Sequence, residues 1–409
     1  MRRSLDAEKL KASVIAEIDS RRHQLSELSL RIHANPELGF HEVKAAAWLT
    51  EYLAENGFAV ERAICGLPTA FRASYGKGKP ALALLAEYDA LPGVGHACGH
   101  NLIATSAVGA AVAARAAIDQ FGGTILVIGT PAEELYGGKV IMARRGIFND
   151  LDTVMMVHPG TRDMATTSAL ACQNLEVEFF GKAAHAAAQP EAGINALEAM
   201  LLSFAGINAL RQHIRSSARI HGIITDGGQA ANVVPEHSAG TFIVRAKDDD
   251  YLDELEPKVL NCFVGAALAT GARLEYRWDD IRYSTMLNNL VLAQLFTRNL
   301  QPLGRPITHD VPDRAFGSTD MGNVSHLVPS IHPHIAIAGK EVFIHSPQFA
   351  LAAASETGIK SMLDAAKALA MTVIDLLANP EIVARVKDEF NHPAADVLSQ
   401  SSLTAETEG

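Results

Sequence analysis

Three short apolar runs, at 81–86, 124–129 and 153–157, constrain the fold of this chain more than any other feature. They lack the alternation of a half-exposed strand and are bounded by turn residues, so each reads as a strand buried on both faces. Helical patterns lie beside them, including an alanine-rich stretch at 102–117. Strand, helix, strand in alternation predicts an α/β fold with a central, mostly parallel sheet covered on both faces. Two further helical stretches, 10–32 and 44–55, flank the break at Asn35-Pro36-Glu37 and are expected as surface helices on that sheet.

The pattern changes near Cys172. Leu175 to Phe179 alternates apolar with acidic residues, as a half-exposed strand does. A helix at 194–214, strands at 220–224 and 238–244 around the Gly227-Gly228 turn, a helix at 251–270 and a strand at 273–278 follow. This is a small α+β unit. After Tyr283 the alternation of helix and strand returns, with 287–300 helical and 335–338 a short strand. The chain of 409 residues exceeds one ordinary core. It is therefore expected to form a discontinuous catalytic domain, 1–170 and 284–409, interrupted by an inserted α+β domain at 171–283. From about 392 the residues are small and polar, and disorder is expected there.

A formal charge of −11 and the lack of any Lys/Arg block exclude a phosphate-tracking stripe, so no nucleic-acid partner is expected. The N-terminus turns acidic at Asp6 without an apolar core, and no run is read as a membrane span. Cys65, Cys98, Cys172 and Cys262 are scattered without paired spacing, which fits reduced thiols and a cytoplasmic location.

Chemistry concentrates in Gly95-His96-Ala97-Cys98-Gly99-His100, a thiol and two imidazoles in six residues. Cys98 and His100 alternate with a glycine, so their side chains can converge on one ion in an extended or tightly turned backbone. Thiolate and imidazole suit zinc best, and manganese, cobalt or nickel could take the same ligands. Glu133 and Glu134 follow the run 124–129, and His158 follows 153–157, so both fall at strand carboxyl ends, where open α/β sheets place their ligands. Adjacent carboxylates point apart, which lets one ligate while the other moves protons. Asp89 closes the run 81–86 and could orient a ligand imidazole; a turn before Pro92 would need the same residue. His332 and His334 have no carboxylate or thiol at ligand spacing and read as core or surface residues, and His96 has no assigned role. Gly317-Ser318-Thr319-Asp320 could line a pocket or cap a helix.

Four motifs in order, Gly95-His96-Ala97-Cys98-Gly99-His100-Asn101, Pro131-Ala132-Glu133-Glu134, Gly181-Lys182-Ala183-Ala184-His185-Ala186 and His345-Ser346-Pro347, resemble those of the co-catalytic metallopeptidase family of aminoacylases and carboxypeptidase G. Glu87-Tyr88-Asp89-Ala90-Leu91-Pro92-Gly93 is similar to the branch of aminobenzoyl-glutamate hydrolase and related dipeptidases. The resemblance runs from Asn35 to His345. It implies a metal-bearing α/β domain interrupted by a lid that mediates homodimerisation, and two divalent ions, zinc or alternatively manganese. By the same resemblance Cys98 bridges the ions, with His100, Glu134, His158 and His345 as further ligands. Glu133 becomes the general base acting on a water held at the metals, with Asp89 behind a ligand. His185 is implied as a donor to the developing oxyanion, reaching the partner subunit's site, and Asn232 and Arg245 as groups that grip a substrate carboxylate. Glu87 stands where other branches carry a ligand histidine.

The function so implied is metal-dependent hydrolysis of the amide in a small carboxylate-bearing substrate, an N-acyl amino acid, an aminobenzoyl-glutamate-like compound or a dipeptide. An N-acyl-amino-acid deacylase with an apolar acyl pocket is the alternative within the same chemistry. A non-catalytic binding or regulatory subunit of the same fold is the alternative outside it.

Overall fold

In the computed structural model, which describes residues 2–307 and 317–392, the apolar runs form neighbouring strands of one sheet. Strands β1 (Ala59–Arg62), β2 (Phe71–Lys77), β3 (Ala81–Ala86), β4 (Gly123–Gly129), β5 (Thr153–Met155) and β11 (Ser330–Ile331) stand in the order β1-β2-β4-β3-β5-β11. The β4-β3-β5-β11 part is parallel, and β1 and β2 add antiparallel pairs at one edge. All but the first residue of β3 are buried, as strands covered on both faces must be.

The described residues divide into two units: 2–168 with 286–307 and 320–392, and 169–285 with 317–319. In the first, the helix His100–Ala113 is buried along its whole length and packs on β3, on Arg22–His33 and on Glu356–Ala378. Its alanine-rich surface permits this, and the Leu25 side chain would lie 3.1 Å from a Cβ at Gly109. The stretch His100–Phe121 is long and apolar enough to cross a membrane, contrary to the sequence reading. It breaks at Ala114 and lies almost wholly inside the core, which explains its composition.

The expected helix 10–32 is two helices, Arg2–Ser20 and Arg22–His33, parted at Arg21. They pack on Glu356–Ala378 and on His100–Ala113 rather than lying on the sheet surface, and Ile18, Leu25 and Ile32 are fully buried. The run 153–157 is also shorter than expected. The chain leaves β5 after Met155 and begins a separate strand, β6 (His158–Gly160), which pairs in parallel with β12 (His334–Ala336). His158 is thus the first residue of its own strand and not the cap of β5.

The second unit is a four-stranded antiparallel sheet, β10-β7-β9-β8, made of β7 (Ala171–Phe180), β8 (Arg219–Asp226), β9 (His237–Ala246) and β10 (Arg273–Tyr283). The helices Ala196–Leu210 and Asp249–Thr270 pack together and against β9. Its core, with Leu175, Val177, Phe179, Phe242 and Phe263, is separate from that of the first unit. The tail from about 392, read as disordered, lies outside the described residues.

Candidate metal centre

The carboxyl ends of β3 and β4 bring the first set of side chains together. His100 is the first residue of its buried helix, and its Nδ1–H donates to Asp89 Oδ1 at 2.9 Å. That bond fixes the tautomer and leaves the Nε2 lone pair for a ligand. Asp89 Oδ2 accepts the Glu134 N–H at 3.0 Å, so one carboxylate orients a ligand imidazole and ties down the turn carrying the glutamates. Asp89 stays below the usual carboxylate range: burial would raise it, and His100 and these hydrogen bonds outweigh that.

Gly99, between Cys98 and His100, has φ of 81° and would place a Cβ 2.8 Å from Pro159 Cγ. Only glycine allows both the turn and the approach. The approach brings Cys98 Sγ to 3.3 Å from His158 Nε2. His158 Nδ1–H donates to the Pro159 carbonyl at 2.6 Å, again leaving Nε2 as the ligand atom. Burial lowers its pKa, favouring the neutral ring that ligation needs. From far along the chain, His345 adopts φ of 71° and donates its N–H to the Ala97 carbonyl at 2.9 Å, which places its Nε2 3.4 Å from Glu134 Oε1.

Cys98, His100 and His158 offer donor atoms within 4.8 Å of one another, and so do Cys98, Glu134 and His345. Cys98 belongs to both sets. The buried atoms His100 Nε2 and Glu134 Oε1 make no hydrogen bond, though buried polar atoms ordinarily do. Converging donor atoms of thiol, imidazole and carboxylate type, two of them without a hydrogen bond, fit divalent transition ions.

Glu133 opens a short helical turn, Glu133–Tyr136, entered through Ala132 in the left-handed region (φ 62°, ψ 40°). Burial, then the nearby Glu134, Glu87 and Asp320 carboxylates, push its carboxyl well above the usual range. Sequence reasoning missed the network behind it. Lys139, Glu87 and Asp320 are 0%, 1% and 0% exposed, and the Lys139 ammonium donates to Glu87 Oε1 and, at 2.8 Å, to Asp320 Oδ1. Asp320 Oδ2 takes the Lys139 N–H at 2.8 Å, so Asp320 caps no helix of its own; the short helix Met321–Ser325 has no side-chain cap. Burial would depress the ammonium, but Asp320, Glu87 and Glu133 push it above its ordinary value. The one sequence signal was a lysine heading the apolar stretch Val140-Ile141-Met142.

His332 and His334 are buried, as a core reading has them, yet they belong to this neighbourhood: their ring centroids lie 5.4 and 5.1 Å from that of His158. His96 is buried with its ring centroid 6.0 Å from that of His33, and is in none of the ligand groups.

The other expected site residues lie in the second unit. His185 is exposed, and its Nδ1 accepts the N–H groups of Ala187 at 3.3 Å and Ala188 at 3.2 Å, which leaves Nε2–H as an outward donor. Asn232, also exposed, accepts the Ala186 N–H at 3.0 Å through its backbone carbonyl, so the structure brings the chain around His185 and Asn232 together. Arg245 on β9 is half-buried, with Nη1 3.4 Å from Ser318 Oγ and Nε without a hydrogen bond.

Comparison with known proteins agrees with this geometry. Residues 83–372 match the model of peptidase family M20/M25/M40. The chain is 39% identical to the Xaa-Arg dipeptidase of Mus musculus over 401 residues, 94% of this chain and 93% of that one. It is 36% identical to one of the p-aminobenzoyl-glutamate hydrolase subunits of Escherichia coli (strain K12) over 310 residues, covering 71% and 64%. The fold is shared with the YXEP protein of Bacillus subtilis, described as a dinuclear metal binding peptidase (TM-score 0.66, 21% identity, covering 87% and 99%), and with an aminobenzoyl-glutamate utilization protein from Klebsiella pneumoniae (TM-score 0.67, 19% identity, covering 88% and 97%). The chain belongs to peptidase family M20/M25/M40, a family of metallopeptidases.

Proposed function

We propose that this member of a metallopeptidase family hydrolyses the amide bond of a small, carboxylate-bearing dipeptide or N-acyl amino acid, an aminobenzoyl-glutamate-like compound included. One observation carries the reading: two donor sets share Cys98, and Glu133 forms a further set with His100 and Glu134, its oxygen within 4.8 Å of their donor atoms. Cys98, His100, Glu134, His158 and His345 would hold two divalent ions, zinc by the softness of the thiolate or alternatively manganese. When bound, such ions polarise the scissile carbonyl and lower the pKa of water. Glu133 takes the proton of the attacking water and returns it to the leaving amine. Asp89 acts through His100 and Glu134, holding both in place.

The second unit supplies recognition. Arg245 and Asn232 grip the substrate carboxylate, the guanidinium through a forked, charge-assisted pair. His185, with its outward Nε2–H, donates to the oxyanion of the tetrahedral intermediate. We assign that role to the partner's His185 in a homodimer formed through this unit. In support, β8 is an edge strand exposing Ile223 (64%) and Ile224 (37%), and the helix Ala196–Leu210 exposes Leu201 and Leu202. Unpaired apolar edges of this kind invite a second copy. Four unpaired cysteines fit a reducing, cytoplasmic setting.

The test is hydrolysis by chelated and metal-restored protein of a panel: dipeptides with acidic, neutral and basic C-terminal residues, aminobenzoyl-glutamate, and N-acyl amino acids. Metal-dependent cleavage of at least one member is expected, and none cleaved under any metal overturns the reading.

A further inference from the structure

The proposed reaction leaves Lys139, Glu87 and Asp320 without a task. Oxygens of Glu87, Glu133 and Asp320 lie within 4.8 Å of one another, a spacing that suits a cation. Three carboxylates so close need a positive charge among them, because like charges at this distance in a site sheltered from water cannot all stay ionised. The chain provides that charge covalently. The Lys139 ammonium bonds Glu87 Oε1 and Asp320 Oδ1, and its backbone N–H takes Asp320 Oδ2, so Asp320 is held at both oxygens. Glu87 turns its other oxygen, Oε2, to 3.4 Å from His100 Nε2, the nitrogen left open for a metal. Three segments are thus knotted at one ammonium: the end of β3, the start of the helix Gly138–Arg144 and the residue before Met321–Ser325.

We propose that Lys139 is a positioning residue whose ammonium fills a cation-competent carboxylate pocket beside Glu133, confining bound ions to the Cys98-centred sets and fixing Glu87 against His100. Its effect on rate rests on the function proposed above; its effect on ion binding does not. The closeness of Lys139 to Gly137 and Gly138 serves this placement, since a Cβ at Gly138 would stand 1.8 Å from the Pro131 carbonyl oxygen.

The experiment compares the intact wild-type chain with K139A and K139R by equilibrium dialysis against Mn²⁺ or Zn²⁺ with elemental analysis, alongside kcat and KM. K139A is expected to bind one divalent ion more per chain than wild type, with kcat down about 10- to 100-fold and KM within about threefold. K139R, which keeps the cation, is expected to keep the wild-type ion count. K139A with wild-type stoichiometry, or K139R with an extra ion, overturns the proposal. Where K139A fails to fold, K139Q takes its place: an extra ion with kcat lowered about 10- to 100-fold supports the role, wild-type stoichiometry overturns it, and K139R is expected to restore the wild-type count. A chain that hydrolyses nothing yet gains the ion in K139A removes the proposed function and leaves this inference standing.

Discussion

Glu133 and Asp89 both border the ligand set, and their surroundings separate their tasks. Asp89 commits both oxygens to His100 and the Glu134 N–H, whereas burial and acidic neighbours raise the Glu133 carboxyl well above the usual range, so that it holds a proton more firmly than Asp89 does. Glu133→Gln keeps the size of the side chain and removes the base. It is expected to retain metal content by elemental analysis while lowering kcat by about 10²- to 10⁴-fold, and substantial residual turnover would take the base role away from Glu133. Asp89→Asn is expected to act differently, weakening metal affinity about 10- to 100-fold in a competition titration, because the carboxylate that makes His100 a better ligand is gone. At this scale the sequence was informative wherever a motif carried the residue, as with Cys98, His100, Glu133, Glu134 and His345, while His158 was reached only through the run 153–157, whose strand ends at Met155 before His158 opens another. Lys139, Glu87 and Asp320 could not be joined, because their pairing spans 52 and 181 residues and no local spacing encodes it.

The turn that carries the glutamates is held from a distant element. Glu42, fully buried just before the helix Val43–Glu55, accepts the Ala132 N–H at 2.9 Å and the Thr69 hydroxyl at 2.8 Å. Ala132 is a non-glycine residue with positive φ, a conformation that needs such support. Phe40 stacks on Tyr136 at 5.2 Å on the same turn, and a Cβ at Gly39 would meet Ala132 Cβ at 2.8 Å. The break after Asn35-Pro36, visible in the sequence only as punctuation between helices, is therefore part of the frame of the site. Burial raises the Glu42 carboxyl from 4.5 to about 7. Its folded-state pKa lies above its unfolded one, so its stabilising contribution is full below the unfolded value and is lost as pH rises through the folded value. Glu42→Gln, a neutral group that can still accept from Ala132, is expected to unfold at higher urea than wild type at pH 8. The difference is about 3 kcal/mol in chelated protein and closes near pH 4.5. A gap independent of pH would assign the effect to packing instead. Helix ends and strand ends were the least legible features at this scale. Nothing in the apolar pattern marks the break at Arg21 or the exit from β5 after Met155, both of which are set by packing on other segments.

At the scale of the whole molecule, the proposal divides one active site between two chains, and mixing experiments read that division directly. In a closed dimer each chain gives Glu133 to its own metal centre and His185 to its neighbour's. Glu133→Gln and His185→Ala homodimers are each expected to be nearly inactive, for different reasons: the first lacks the base at both sites, the second lacks the oxyanion donor at both. When the two are unfolded, mixed and reassembled, about half of the dimers are hybrids by chance pairing. In a hybrid, the chain with intact Glu133 receives the intact His185 of its partner, so one of its two sites is complete. The mixture should regain about a quarter of the wild-type kcat per chain, while each variant reassembled alone regains nothing. Were His185 to act on its own chain's site, the hybrid would hold one site without a base and one without a donor, and mixing would restore no activity. Placing a charge at the exposed β8 edge, Ile223→Glu, supplies the independent arm: it is expected to shift the chain toward monomer in light scattering and to lower kcat while leaving metal content unchanged. A fully active monomer would show that the edge strand and the donor histidine have nothing to do with each other.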